Sequence, residues 1–188
     1  MKILSIPNEN GKMTCFWEEG ASSGKKPLII CLADKEEDAQ RDLNLLFSQA
    51  NGASVAALVI YPQTEEQIVG DWLYSLRQRE DVDENRITLT GTLSAADWVW
   101  RLGSHFPQWF AGICAVGGYG DPYEVRAMKN VPVRAYLVEE EPQIIRKGKV
   151  AVNVDQLVMS LLTAGSECVE MRSMYGKNPW NKAIQEDG

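Results

Sequence analysis

"RITLTGTLSAADWVWRLG", residues 86–103, decides the fold. Its opening, Arg86-Ile87-Thr88-Leu89-Thr90-Gly91, reads as a buried strand, and Ser94 to Phe106 reads as the helix that follows. Only Thr92 and Leu93 separate the two, so the strand must turn sharply into the helix. A sharp strand-to-helix turn lifts one side chain clear of both elements, and the residue at its apex sets what chemistry the turn can carry. The joint reads Gly91-Thr92-Leu93-Ser94-Ala95-Ala96, with Ser94 at or beside the turn.

On either side, strand-like and helix-like patterns alternate. "KILSIP" and "MTCFWEE" flank the turn-rich "NENGK" and read as an antiparallel hairpin. "PLIICLA" (27–33) and "SVAALVIYP" (54–62) are continuous apolar runs of the kind a strand covered on both faces requires. Between them Ala39, Leu43, Leu46, Phe47 and Ala50 recur at helical spacing, closed by "ANG". Thr64-Glu65-Glu66-Gln67 fits a capping box ahead of a helix with Ile68, Val69, Trp72, Leu73 and Leu76 on one face. Further strands are expected at 110–118, 131–139 and "CVEMRSMY", with a short helix in "DPYEVRAMKN". An amphipathic helix carries Val154, Leu157, Val158, Leu161 and Leu162, and a C-terminal helix is expected in "PWNKAIQ" with Pro179 in its first turn. A hairpin followed by repeated βα units implies one domain over residues 1–188, with a mostly parallel sheet between helices.

Composition excludes several partners. The chain has 188 residues, 45% of them hydrophobic, enough for a sizeable core. With 26 acidic against 19 basic residues its net charge is −7, which disfavours nucleic-acid and anionic-membrane surfaces. No apolar run approaches the roughly 20 residues of a membrane span, and the first residues lead into no signal-peptide core. Cys15, Cys31, Cys114 and Cys168 are widely spaced, without a CxxC, and read as buried free thiols in a reducing cytoplasm. One histidine makes a metal site improbable on ligand chemistry, and no cofactor is expected. The glycine-rich "GGYGDP" (117–122) lacks the spacing of a nucleotide loop. Trp72, Trp100 and Trp109 suit core packing, and so does Trp98, whose other reading is a ring lining a cleft.

The order of these elements, with the phrases at their ends, resembles the α/β-hydrolase superfamily. The branch is that of small esterases: carboxylesterase and phospholipase-like enzymes, and polyhydroxybutyrate-depolymerase or feruloyl-esterase-like proteins. The likeness rests on "KKPLIICLAD" (25–34), "DVDENRITLTG" (81–91), "WRLGSHFPQWFAGICAVGGYGDP" (100–122), "NVPVRAYLVEEEP" (130–142) and "YGKNPWNKAI" (175–184). It implies a single-domain three-layer α/β/α sandwich, mostly parallel, with an antiparallel N-terminal hairpin. It also implies a site built from a nucleophile on the elbow, an imidazole base, an orienting carboxylate and an oxyanion hole.

This chain departs from the resemblance at each of those places. Counted back from Trp100-Arg101-Leu102 without gaps, the nucleophile position falls on Leu93; a one-residue shift makes it Ser94 and puts Ala96 where a glycine is usual. Lys177, in Gly176-Lys177-Asn178-Pro179-Trp180, occupies the histidine position, and it reads as a solvated lysine on a polar loop. The only histidine, His105, ends the helix after the elbow, away from the strand C-termini where such sites form. The acid position is Glu141, in a run of three acids that reads as a solvated loop. The usual His-Gly after the first buried strand is Ala33-Asp34, and a carboxylate there opposes oxyanion stabilisation.

Two functions follow. The first is a pseudoenzyme with a degenerate triad, which binds a small-molecule ligand or a protein partner in the former active-site cleft. Leu93, Ser94 and Ala95 would form its floor, with Ala33, Asp34, Lys177 and Asn178 at the rim. Asp34 and Lys177 either face water or meet across that cleft as an ion pair. The alternative is an atypical carboxylic ester hydrolase using Ser94, with Lys177 or Glu141 assisting. Whether Ser94 stands at the apex of the turn separates the two.

Overall fold

The computed structural model describes residues 2–8, 11–21, 23–138 and 151–174. The strands are β1 (Lys2–Asn8), β2 (Gly11–Glu18), β3 (Lys26–Ala33), β4 (Ser54–Val59), β5 (Val82–Thr92), β6 (Gly112–Val116), β7 (Val133–Val138) and β8 (Val169–Met174). The α-helices are α1 (Glu36–Gln49), α2 (Glu66–Arg77), α3 (Ser94–His105) and α4 (Val154–Thr163). The strands form one eight-stranded sheet in the order β1-β2-β4-β3-β5-β6-β7-β8. The hairpin pairs antiparallel, β2 joins β4 antiparallel, and β3–β4, β6–β7 and β7–β8 are parallel. The fold is therefore the expected α/β arrangement, with a mostly parallel sheet and an antiparallel N-terminal hairpin. The helix expected in "PWNKAIQ" lies outside the described residues. By contacts the chain divides into two compact units, Met1–Thr88 and Leu89–Gly188.

In the first unit β4 is buried along its whole length, placed between β2 and β3 in the sheet and packed under α1. That explains its uniform run of small and branched apolar residues. Helix α1 packs Ala39 and Leu43 inward and also buries Asp42, whose carboxylate accepts from the Arg41 guanidinium at 2.9 Å. Asn51 and Gly52, both at positive φ, reverse the chain into β4. The capping box does not form. Helix α2 starts with Glu65 as its N-cap residue, without a side-chain cap, and the Thr64 hydroxyl accepts the Tyr61 N–H at 3.2 Å instead. Cys15 and Cys31 are buried, whereas Cys114 and Cys168 are only half-buried, so the expectation of four buried thiols holds for two.

In the second unit α3 packs tightly on the segment that leaves β6. Trp100 is fully buried, and its indole N–H donates to the Gly117 carbonyl at 3.1 Å. The buried Asp97 carboxylate accepts the Tyr119 N–H at 2.6 Å. Gly118 lies at φ +84°, and a Cβ there would stand 2.8 Å from the Ala96 carbonyl carbon and Cβ. Trp98 is not a core residue: it is half-buried, with the Arg101 guanidinium 4.9 Å from its ring centroid. Trp109, also expected in the core, is half-buried and stacks on Phe106 with ring centroids 4.2 Å apart.

Two predictions concern stability. Gly118→Ala adds backbone strain at positive φ to a clash that α3 cannot relieve, and should cost about 2–4 kcal/mol in urea-induced unfolding. Burial pushes the Cys15 thiol up from 9.0 to about 12, against a weaker opposing pull from Arg79. The folded chain then keeps a proton that the unfolded chain has lost. The resulting stabilisation is complete below pH 9 and disappears as pH rises through about 12. Between those limits the wild type should lose stability relative to Cys15→Ala by about 1.4 kcal/mol per pH unit, read from unfolding midpoints.

Candidate functional site: the strand-to-helix elbow

Strand β5 is buried at Leu89, Thr90 and Gly91 as it approaches the elbow. It ends at Thr92, and Ser94 is already the first residue of α3. Leu93 makes the whole turn by itself. Its backbone lies at φ 51°, ψ −122°, the first-corner geometry of a type II′ turn, which glycine dominates. For a leucine this conformation stores about 1–3 kcal/mol of strain. Two backbone bonds hold it there: the Leu93 N–H donates to the Val116 carbonyl at 2.7 Å, and the Leu93 carbonyl accepts the Ala96 N–H at 2.9 Å. Leu93 is thus the residue at the apex, and its side chain is 42% exposed.

With Leu93 at the centre, the sequence around the turn reads Gly91-Thr92-Leu93-Ser94-Ala95. A nucleophile elbow reads G-x-S-x-G, so the first glycine is in place, the central serine is leucine and the second glycine is alanine. Ala95 is buried, and Ser94 is exposed in the first turn of α3. The register without gaps is therefore the one the chain adopts. The signal that locates it lies downstream, in Trp100-Arg101-Leu102.

The remaining candidates scatter. His105 is the last residue of α3, about 16 Å along the helix axis from Ser94 at 1.5 Å per residue. Its Nε2 lies 3.4 Å from a Glu124 carboxylate oxygen. That spacing leaves it far outside hydrogen-bond reach of a hydroxyl at the elbow. In the first unit Ala33 ends β3 and is buried, its carbonyl accepting the Ile60 N–H at 2.8 Å, and Asp34 follows it half-buried. Glu141, Lys177 and Asn178 lie outside the described residues, and with them the Asp34–Lys177 pair.

Two features escaped the sequence. The Thr90 hydroxyl, three residues before the apex, is buried without a hydrogen-bond partner among the described residues. Asp97 ties the first turn of α3 to Tyr119, and nothing in the spacing of the sequence announces that bond. No group of three His, Cys, Asp or Glu side chains among the described residues could hold a metal ion. No helix among them is long and apolar enough to cross a membrane.

No family model matches the chain, and no curated protein matches it in sequence. Its likeness is to solved structures. A thermostable esterase superposes with a TM-score of 0.76 at 18% identity, over 98% of this chain and 59% of the esterase, so this chain spans little more than half that protein's length. A protein assigned as a dienelactone hydrolase from Klebsiella pneumoniae subsp. pneumoniae MGH 78578 gives 0.71 at 16% identity, over 98% and 95% of the two chains. Carboxyl esterase 2 from the mycorrhizal fungus Tuber melanosporum gives 0.66 at 12% identity, over 100% and 81%. At such identities what is shared is the fold.

The strain at the apex has a direct test. Leu93→Gly removes it but gives up the buried part of a side chain that is 42% exposed and adds chain entropy, each about 1 kcal/mol, so it should stay within about 1 kcal/mol of the wild type. Leu93→Ala, which keeps the strain and loses the same contacts, should cost about 1–2 kcal/mol, both measured by urea unfolding.

Proposed function

We propose that this chain, which has the α/β-hydrolase fold, does not hydrolyse esters and instead binds a small molecule or a protein partner at its elbow. The observation that carries this reading is Leu93 at the apex of the turn. The fold can hold a strained backbone there so that a hydroxyl stands up from the sheet, free to attack a carbonyl. A leucine in that place has no nucleophilic atom. It offers an exposed apolar side chain where an enzyme needs a reactive one.

The proton-transfer side supports the same reading. Acyl transfer by a hydroxyl needs a base within hydrogen-bond reach. The chain's single histidine is at the far end of α3, beside Glu124. By resemblance the base and acid positions fall on Lys177 and Glu141, and the oxyanion side on Asp34. Lys177 brings no imidazole, Glu141 is a carboxylate with no imidazole to orient, and the negative charge of Asp34 opposes an oxyanion.

The solved structures it resembles include esterases, so Ser94, one residue beyond the apex, is the natural candidate for residual ester chemistry. Initial rates with short-chain p-nitrophenyl esters decide between the readings. Wild type and Ser94→Ala should both match the buffer blank. Turnover by the wild type that disappears in Ser94→Ala would overturn the proposal and establish a serine esterase.

A further inference from the structure

Helix α3 leaves only a narrow stripe to solvent. Eight of its 12 residues are buried, and the other four, Ser94, Trp98, Arg101 and His105, follow one another at intervals of three and four. They therefore lie on one line along the helix. Ser94 and His105 at its ends are exposed, whereas Trp98 and Arg101 between them are half-buried, so the middle of the stripe is recessed.

The Arg101 guanidinium lies over the Trp98 ring, 4.9 Å from its centroid. Arg41, Arg77, Arg79, Arg86 and Arg134 each have a carboxylate oxygen within 3.3 Å. Arg126 also stacks on a ring, that of Tyr123, but its Nε–H donates to the Ser160 hydroxyl. Arg101 meets no carboxylate among the described residues, although the chain carries a net charge of −7, and Glu124 meets His105 one turn further on. Stacking holds the planar guanidinium by its face. Its N–H groups point outward in the plane, so the edge remains open to an acceptor.

We propose that this stripe is where the elbow's ligand binds, and that the ligand is a small carboxylic acid with an apolar body. Its carboxylate pairs with the edge of Arg101, and its body lies along Trp98 toward Ser94 and the exposed Leu93 side chain. The inference rests on the binding reading of the elbow and names its ligand class. Ser94 and Arg101 are about 10 Å apart along the helix at 1.5 Å per residue, the length of a medium-chain acid. A strip of that length, one side chain wide, falls well short of the roughly 800 Å² that a stable protein interface takes from each partner. A cationic ligand would be repelled by Arg101, and a bare anion such as phosphate would leave Trp98 and Leu93 without a contact. Charge and apolar surface together select an amphipathic acid.

Titration of octanoate into the full chain, followed by nitrogen-edited NMR spectra, tests this. Octanoate should bind with a millimolar or lower dissociation constant and shift the resonances of Ser94, Trp98 and Arg101 most. Octanol, which lacks the charge, and acetate, which lacks the body, should each bind about tenfold more weakly or worse. Arg101→Gln should weaken octanoate about tenfold while leaving octanol binding and far-ultraviolet circular dichroism unchanged. Octanoate that shifts nothing at millimolar concentration, shifts that map away from α3, or an Arg101→Gln variant that binds octanoate undiminished would each overturn the inference. Its failure is distinct from that of the elbow reading: a failed titration leaves the ester rates at the buffer blank, whereas ester turnover lost in Ser94→Ala overturns the reading whatever octanoate does.

Discussion

The backbone of Leu93 is the constraint on which the site depends. Strand β5 ends at Thr92 and α3 begins at Ser94, so one residue must absorb the entire change of direction, and it does so at φ 51°, ψ −122°. The strain, about 1–3 kcal/mol, persists because the surroundings determine it from several sides. The Leu93 N–H is fixed to Val116, Gly118 lets the chain after β6 approach Ala96 closely, and Asp97 anchors Tyr119. A hydrogen bond to a charged group contributes about 1.5–3 kcal/mol, so the Asp97 contact alone can offset much of the strain.

A turn of this kind is costly without a reason to keep it. In an esterase the reason is the hydroxyl it presents, and here the architecture stands with leucine at its tip. The fold supplies position, and the side chain at that position supplies chemistry. The separation is visible in α3. Its buried residues run from Ala95 to Ser104, and they fix the helix against its unit whatever residue occupies the apex.

The alternation of buried strands and amphipathic helices made the fold legible, since β3, β4 and α4 follow directly from apolar spacing. The misreadings have local causes. Thr64 looked like a helix cap, but its hydroxyl was taken by the Tyr61 N–H, a turn contact that spacing does not reveal. Trp98 suits the core by residue type alone. Yet Ser94, Trp98, Arg101 and His105 recur at intervals of three and four residues, and they form the stripe of α3 left when the other residues turn inward. The apex itself was ambiguous because no local preference places leucine at positive φ. Only the fixed distance to Trp100-Arg101-Leu102 pointed to it.

The central claim, that the elbow presents no activated hydroxyl, is tested most directly by intact-mass spectrometry after incubation with a fluorophosphonate, which phosphonylates activated serines. The account predicts an unchanged mass for the full chain at a concentration and time that label a serine esterase to completion. A stoichiometric adduct that maps to Ser94 would contradict it.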